Sequence, residues 1–435
     1  MKKCVNGRII YMFLKKLELK NFRGIEAQNI DFNDGINLII GNNGAGKTSI
    51  LSAIANTLSI MTASLSGGEV LHFNQNDVRC VQRRVSESIV ESKQAFPIEA
   101  KSTIDFNGIS LQFGQTGKDI LDVLNLQGID GWNHKDEIIA VMNGVYPLIS
   151  YQRFDREWKL QANENRGEVV VRYGTVTRES GYEDCLSGTG YEDIIQKWCL
   201  TMALMEYERK SEIREFKAFQ RIVEKFIQEL EDNNQKISVY YSSEVGSLVY
   251  ESGDSRLPLY DLSTGYRAIM SMIMELAYRS VILNPEICDD IERIEGIVLI
   301  DEIDAHLHPK WQWRILDALK ATFPSVQFIV ATHSPMVIAS VQNVNIINLD
   351  VDNGVTYLES AYGFSAGDVL TLRQGTTEMP MEAKKQLDEL DRALDEADDN
   401  RARAILEKAL SEYGENSAFY NELYQMYKLN SWMDV

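Results

Sequence analysis

The sequence lacks a long apolar run, since no stretch approaches the roughly 18 consecutive apolar residues that a membrane-spanning helix needs. It also lacks any Cys-x-x-Cys pair, and its five cysteines are scattered and odd in number. This pattern argues against a disulfide framework and against a cysteine-based structural zinc site. We therefore expect a reduced, cytoplasmic protein that has no membrane partner.

The chain has no excess of positive charge either. Its 44 Lys and Arg face 64 Asp and Glu, which gives a net charge of -20. Such a chain does not coat nucleic acid by bulk attraction, so any DNA contact has to be a local patch. Sequence repeats and heptads long enough for a coiled coil are absent as well. The 435 residues, 44% of them hydrophobic, suffice for one large core or two smaller ones.

The segment GNNGAGKT at 41–48 matches the phosphate-loop pattern in full. The apolar run GINLIIG at 35–41 precedes it and helical spacing follows to about Leu65, which predicts strand, loop and helix. Backbone N–H groups of such a loop converge on phosphates. We expect Lys47 to reach the β- and γ-phosphates and Thr48 to bind Mg²⁺. The residues assigned here to ATP binding are Asn42, Asn43, Gly44, Ala45, Gly46, Lys47, Thr48 and Ser49.

Two buried strands are predicted at 296–300 and 326–331, in the interior of a parallel sheet, and each leads into a polar block. Asp301 is expected to hold Mg²⁺ through its shell. Glu302 is placed to polarise the attacking water. His333 follows the second strand, where it is expected to contact the γ-phosphate.

A metal site at His306 and His308 is the rival interpretation of the DAHLHP block at 304–309. Their spacing of two and the following Pro309 fit a helical ligand pair poorly.

Gln152, in PLISYQR at 147–153, is expected to couple Mg²⁺ and the γ-phosphate to the inserted region, and it is a candidate ligand of both. The alternative is an ordinary glutamine in a surface loop.

A basic stripe lies on the helical pattern over 191–231, which predicts one long helix or two joined ones. An apolar side lies opposite the stripe. The stripe is either a local DNA contact on an acidic protein or a solvated helix face. Its members are Lys210, Arg214, Lys217, Arg221 and Lys225.

Together these blocks resemble the ABC-type ATPase heads. The motif LKNFRG at 19–24 looks like the RecF and structural-maintenance-of-chromosomes group, whose arginine near this position touches the nucleotide. The resemblance therefore assigns Arg23 to ATP. The DEIDAHLHP block at 301–309 looks like RecF/OLD-type ATPases, and LSTGYR at 262–267 replaces the transporter signature Leu-Ser-Gly-Gly-Gln.

The resemblance implies an active site built from two copies of the chain. Ser263, Thr264 and Gly265 would then reach the γ-phosphate on the opposite subunit. Asp304 would line the dimer seam, and His333 would be the switch histidine.

The expected fold class is α/β, a P-loop ABC-type ATPase head with a mixed sheet and flanking helices. An inserted α/β-to-helical region and a helical C-terminal extension complete it. The expected boundaries are 12–65 and 256–360 for the two parts of the head, 66–255 for the insertion and 361–435 for the acidic extension.

Asp350 and Asp352 have the spacing of a Toprim nuclease pair. Because Asp352-Asn353-Gly354 is a turn signal, we interpret this segment as a hairpin.

This layout looks most like the ATPase subunits of bacterial anti-phage systems, nearest to the Septu and retron-associated ATPases, which work beside a separate HNH nuclease. The resemblance implies an ATP- and Mg²⁺-dependent homodimer or higher oligomer that hydrolyses ATP and gates such a nuclease. The alternatives are a RecF-like repair ATPase that acts directly on DNA or RNA–DNA, and a regulatory ATP clamp with little turnover. Aromatic residues of the tail either dock the partner or pack on the chain itself: Phe419, Tyr420, Tyr424, Tyr427 and Trp432.

Overall fold

The computed structural model divides into two compact units, Met1–Gly363 and Phe364–Val435. The residues that it describes are 4–5, 8–9, 12–84, 90–124, 128–130, 135–142, 144–153, 176–188, 191–232, 237–253, 255–350, 354–376 and 379–431.

The strands are β1 (Cys4–Val5), β2 (Arg8–Ile9), β3 (Phe13–Phe22), β4 (Ile25–Asp31), β5 (Ile36–Gly41), β6 (Cys80–Arg84), β7 (Val90–Gln94), β8 (Ile98–Phe106), β9 (Ile109–Gly117), β10 (Ile129–Asp130), β11 (Leu148–Arg153), β12 (Ile237–Ser242), β13 (Ser247–Ser252), β14 (Ser255–Pro258), β15 (Gly296–Asp301), β16 (Val326–Ala331), β17 (Asn345–Asp350) and β18 (Gly354–Leu358). The helices are α1 (Lys47–Ser66), α2 (Ile120–Leu124), α3 (Lys135–Val141), α4 (Glu192–Arg209), α5 (Arg214–Glu231), α6 (Thr264–Leu283), α7 (Pro309–Gln312), α8 (Ile315–Thr322), α9 (Pro335–Ser340), α10 (Ala366–Leu372), α11 (Met381–Asp395), α12 (Asp399–Tyr413) and α13 (Ala418–Ser431).

The first unit is built on a six-stranded sheet in the order β11-β15-β16-β5-β17-β18. Every neighbouring pair is parallel except β17 with β18. All residues of β15 and β16 are buried, as the continuous apolar runs at 296–300 and 326–331 predicted. The carboxyl ends of β5, β11, β15 and β16 therefore lie at one edge of the sheet, where α/β proteins bind their ligands.

The antiparallel pair β17 and β18 confirms the predicted hairpin around Asp350, because Asp350 pairs with Gly354. Asp352 lies outside the described residues.

A second sheet, antiparallel and in the order β10-β9-β8-β3-β4, covers the other side of α1. Helix α1 contacts strands of both sheets and is apolar on most of its circumference, which is typical of a core helix. Within the described ranges, α1 is the one helix long and apolar enough to cross a membrane, and 72% of that stretch is buried inside the protein.

The region 66–255, predicted as an insertion, contributes strands to both sheets, since β8 and β9 flank β3 and β11 pairs with β15. A single helix over 191–231 is wrong. Lys210 adopts a left-handed φ of 51°, which ends α4, and α5 begins only at Arg214.

A fully buried ion pair fixes the middle of α6. Arg279 donates its Nε to Glu275 Oε1 at 2.9 Å, and neither side chain is more than 2% exposed. Arg279 Nη1 also donates to the carbonyl oxygens of Gly181 and Glu183, and the guanidinium stacks on Tyr191. The helix that begins in the LSTG motif is thereby fastened to the segment leading into α4.

The second unit consists of α10 to α13, and α11, α12 and α13 share a small apolar core around Leu390, Leu406 and Leu423. Phe419, Tyr420 and Tyr427 pack against this core, which is the alternative predicted for the tail aromatics. Tyr424 is 42% exposed. Trp432 lies outside the part of the chain that the structure describes.

The buried ion pair predicts a large stability effect. Arg279→Met leaves the Glu275 carboxylate buried without its counter-charge, so we expect the free energy of unfolding to fall by about 3 to 5 kcal/mol. Urea unfolding followed by tryptophan fluorescence measures it, and adding Glu275→Met should restore part of the loss. The control Arg293→Met breaks an exposed pair with Asp290 and should cost at most about 1 kcal/mol. Equal losses for the two single variants would contradict the prediction.

Candidate functional site

The loop between β5 and α1 forms the floor of the candidate site. Gly44 and Gly46 have positive φ values of 82° and 100°, which L-residues with a side chain rarely adopt. Asn42, Asn43 and Gly44 are exposed, so the mouth of the loop is open. Lys47 is 7% exposed, and its Nζ donates to the carbonyl oxygens of Gly41 at 2.9 Å and Asn42 at 3.1 Å. The Lys47 ammonium therefore lies across the loop at 41–48, which the sequence predicts to bind phosphate.

Carboxylates from the end of β15 surround this lysine. Burial lowers the pKa of the Lys47 ammonium, and the nearby charges of Asp301, Asp304 and Glu302 oppose that shift. Asp301 is 5% exposed, whereas Glu302 is exposed and has a left-handed φ of 53°. The structure thus brings Lys47 together with the predicted metal ligand Asp301, which is buried, and the predicted catalytic residue Glu302, which is exposed.

His333 joins the same group from the end of β16. Its backbone N–H donates to Asp304 Oδ1 at 3.3 Å, and the hydroxyl of Thr332 donates to the same oxygen. Burial, followed by the charge of Lys47, lowers the pKa of the His333 imidazole. The lowered pKa favours the neutral form of the ring, and the charges of Asp304, Glu302 and Asp301 oppose that shift.

The two other histidines of this region take structural positions. His308 Nδ1 accepts from the N–H of Lys310 at 3.2 Å and caps α7, while His306 is exposed with a left-handed φ of 63°. Among the described residues, no group of three or more His, Cys, Asp and Glu is placed to hold a metal ion.

The donors near Lys47 fit Mg²⁺ by their chemistry. The Thr48 hydroxyl is exposed at the start of α1, and the Asp301 carboxylate lies at the end of β15. Mg²⁺ uses oxygen ligands, commonly one or two carboxylates together with substrate phosphates. Thr48 and Asp301 are residues of this kind.

The LSTG motif forms the start of α6. Ser263 accepts from the N–H of Tyr266 at 3.4 Å, and both Ser263 and Thr264 are exposed. Gly265 is buried, and a Cβ there would lie 2.4 Å from the carbonyl oxygen of His306. The motif therefore touches the 304–309 block of its own chain at a position that excludes any side chain.

Tyr266 reinforces that contact. Its ring packs edge-on against Trp311 at 4.8 Å between centroids. Its hydroxyl bonds to the Glu231 carboxylate and lies 3.0 Å from the Tyr250 hydroxyl. The start of α6 is thus held between α7 and the end of α5.

Gln152 is a buried strand residue, 2% exposed in β11, so the surface-loop alternative is wrong. Its Nε2 donates to the Ser150 hydroxyl at 2.7 Å, and that hydroxyl donates to Glu275 at 3.3 Å. Because side chains alternate along a strand, Tyr151 points to the opposite face. There its hydroxyl lies 3.4 Å from Asp301 Oδ2, and burial raises the pKa of the phenol.

The sequence analysis did not identify Tyr151 as a site residue, although Tyr151 directly precedes Gln152, which it did assign to the site. Strand alternation was the signal available, because it places neighbours 151 and 152 on opposite faces. The role assigned to Gln152 as a ligand stays a prediction.

Arg23 has a left-handed φ of 50°. Its Nε donates to Asp77 at 2.9 Å, and its Nη1 donates to the Ser52 hydroxyl at 3.3 Å. The guanidinium therefore lies beside the first turns of α1, and the nucleotide contact expected of it stays a prediction.

Acidic side chains accompany much of the basic stripe. Arg214 and Arg221 both pair with Asp289, and these bonds lower the pKa of that carboxyl. Lys217 lies 3.5 Å from Glu212. Lys210 ends α4 and Lys225 is half-buried, so DNA contact by the stripe stays a prediction.

Family models match most of the chain. The AAA domain model matches residues 16–240, and the AAA ATPase domain model matches residues 192–338. The second match includes the LSTG motif and the blocks at 301–309 and 332–334.

Individual proteins are similar over most of their length. The chain is 24% identical to the retron Vc95 probable ATPase of Vibrio cholerae serotype O1 biovar El Tor, over 86% of this chain and 81% of that protein. It is 23% identical to the Septu protein PtuA of Bacillus thuringiensis, over 90% of this chain and 91% of that one. The structure of an SmcHead bound to the C-winged helix domain of ScpA matches with a TM-score of 0.47 and 17% identity, over 80% and 98% of the two chains. The family models and the two similar proteins confirm the predicted resemblance, and the chain is an ATPase.

The close approach at Gly265 predicts a specific defect. In Gly265→Ala the new methyl meets a backbone oxygen, so the start of α6 or the 304–309 block must shift. A displacement of about 1 Å in a catalytic constellation costs about 10²-fold in rate, so ATP hydrolysis should fall by tenfold to about a hundredfold. Steady-state phosphate release measures this. Gly35→Ala, whose Cβ meets nothing within 4 Å, is the control, and equal rates for the two variants would contradict the prediction.

Proposed function

The chain belongs to the AAA domain family, whose model matches residues 16–240, and we propose that it dimerises around two molecules of ATP·Mg²⁺. In this proposal it acts in the cytoplasm and gates a partner nuclease in bacterial defence against phage. Binding of ATP closes the two copies on one another. Hydrolysis opens them, and the state of the head is relayed to the partner.

The observation that carries the proposal is the convergence of Lys47, Asp301, Glu302, Asp304 and His333 at one edge of the central sheet. This set contains one cation for phosphate, three carboxylates and an imidazole; Asp301 is buried, Glu302 is exposed, and Asp304 accepts from the backbone N–H of His333. Phosphoryl transfer depends mainly on positioning and electrostatic stabilisation, which such a set supplies.

In the proposed reaction the phosphates of ATP lie on the loop at 41–48, and Lys47 exchanges its carbonyl partners for β- and γ-phosphate oxygens. Thr48 and Asp301 would hold Mg²⁺, which would supply charge neutralisation. Glu302 accepts a proton from the water that attacks the γ-phosphorus, and the bond from that phosphorus to the bridging oxygen breaks, so that ADP leaves. His333 donates a hydrogen bond to the γ-phosphate.

The second copy closes the open side of the site. Ser263 and Thr264 are exposed at a helix start, and a helix start attracts anions. These two residues are proposed to meet the γ-phosphate on the opposite copy, with Asp304 at the seam. The contact of Gly265 with His306 then links the motif offered to the opposite ATP with the block that serves the chain's own ATP.

The proposed partner follows from the resemblance to Septu and retron-associated ATPases, which implies a separate nuclease of HNH type. The relatives named as a retron probable ATPase and a Septu protein support this assignment. Of Phe419, Tyr420, Tyr424 and Tyr427, Tyr424 is the exposed one and is proposed to dock the partner, since the other three pack on the core of their own unit.

Glu302→Gln tests hydrolysis and dimerisation together. We expect ATP hydrolysis to fall by at least about 10²-fold, because the amide accepts no proton from water. ATP should still bind and hold the protein as a dimer, seen as a doubled native mass when ATP is present.

Two controls accompany it. Lys47→Ala should abolish both ATP binding and the mass change, whereas Glu359→Gln, an exposed glutamate on a different segment, should behave as the unaltered protein. Hydrolysis at an unchanged rate in Glu302→Gln would contradict the catalytic role, and little turnover in both the variant and the unaltered protein would favour a regulatory clamp.

The partner is tested by the native mass and composition of the complex purified from its own host with ATP present. We expect a nuclease subunit in stoichiometric amount, and we expect Tyr424→Ala to reduce its recovery. A dimer of this chain alone that takes up DNA would contradict the proposal and support a RecF-like repair ATPase. In that case Lys217→Glu with Lys225→Glu should abolish the DNA binding, which should also weaken steeply with salt.

A further inference from the structure

A set of hydroxyl groups lies directly behind the Asp301 carboxylate. Tyr151 is 5% exposed on β11 and lies opposite Leu299 of β15, two residues before Asp301. The phenol oxygen lies 3.4 Å from Asp301 Oδ2. A phenol is a hydrogen-bond donor to a carboxylate, so Tyr151 constrains the orientation of Asp301 from inside the protein.

Ser52 continues this set on α1, one helical turn after Thr48. Its hydroxyl donates to the carbonyl oxygen of Thr48 at 2.8 Å and lies within hydrogen-bond reach of the Tyr151 phenol. The same hydroxyl accepts from Arg23 Nη1 at 3.3 Å. Ser52 has one proton and two acceptors within reach, so it joins Arg23, the first turn of α1 and Tyr151 into one chain of polar contacts.

Asp77 anchors the far end of this chain. Its buried carboxylate accepts from Arg23 Nε at 2.9 Å. The polar chain therefore runs from Asp77 through Arg23, Ser52 and Tyr151 to Asp301. It crosses β11, β15 and α1, the elements that carry the proposed metal ligands or lie beside them.

We propose that Tyr151 is a positioning residue of the divalent-cation site, which fixes Asp301 and, through Ser52, ties that carboxylate to Arg23. The inference rests on the proposed role of Asp301 as a metal ligand. Mg²⁺ requires near-ideal octahedral geometry. Hydrogen bonds from surrounding groups commonly set the orientation of a ligating carboxylate, and losing one costs about 10- to 100-fold in metal affinity or activity.

Tyr151→Phe tests the proposal because it keeps the ring and removes only the hydroxyl. Binding of a fluorescent ATP analogue is titrated with Mg²⁺ at a fixed nucleotide concentration. We expect the Mg²⁺ concentration at half-saturation to rise about tenfold. Binding of the analogue in EDTA should stay unchanged. In hydrolysis assays the same shift should appear in the Mg²⁺ dependence.

Tyr182→Phe is the matched control. Tyr182 is also 5% exposed, and its hydroxyl donates to the carbonyl oxygen of Pro147 at 3.0 Å, away from Asp301. This variant loses a buried hydrogen bond of the same kind, so it should lose stability without changing the Mg²⁺ dependence. Ser52→Ala provides a second test, with an expected rise of several-fold in the Mg²⁺ concentration at half-saturation.

The outcomes separate this inference from the proposed function. If Asp301→Asn leaves the Mg²⁺ dependence unchanged, the metal assignment of the proposed function fails. If Asp301→Asn changes it while Tyr151→Phe and Ser52→Ala do not, the positioning role alone is overturned. An equal loss of nucleotide affinity with and without Mg²⁺ in Tyr151→Phe would also overturn it, because that pattern indicates a structural role.

Discussion

The parallel register of the central sheet is the constraint on which the candidate site depends. Asp301 lies opposite Arg153, and Ala331 lies opposite Ile39, so β11, β15, β16 and β5 end at nearly the same level. These strands are buried on both faces, and their backbone groups are satisfied only in this pairing. A slip of one residue would turn Asp301 to the other face of the sheet and remove it from Lys47. The distances around the phosphate loop are therefore consequences of strand pairing.

Helix α6 connects this edge to the rest of the first unit. Its start contacts the 304–309 block through Gly265, and its middle carries the buried Glu275–Arg279 pair that also reaches Ser150 on β11. A buried ion pair held by several hydrogen bonds allows few alternative positions, because a displacement would leave a buried charge without its partner. In the proposed dimer, a movement at the Ser263 end is therefore transmitted as a movement of the helix. In that proposed dimer, α6 of each copy would link the two ATP sites.

The charge distribution favours a protein partner over bulk attraction to nucleic acid. The net charge is -20, and Arg214 and Arg221 of the basic stripe share Asp289 as their counter-charge. Exposed ion pairs of this kind contribute little to the free energy of folding, and salt screens the attraction between their charges. In the second unit, by contrast, a core around Leu390 and Leu423 accounts for most of the tail aromatics. Composition thus limits the kind of partner, while local contacts decide which residues are available to it.

The sequence determined the phosphate loop, the strands that carry Asp301 and His333, the fold class and the chemical class of the reaction. Those features depend on short-range patterns, namely glycines at fixed spacing and uninterrupted apolar runs. Tertiary structure alone decided that Tyr151 faces Asp301, that Gln152 faces Ser150, that Lys210 ends a helix, and that Gly265 lies under His306. Each of these contacts joins elements distant in the chain or depends on one backbone angle. Local pattern does not encode which face of which strand meets which helix, because that is decided only when the whole core packs.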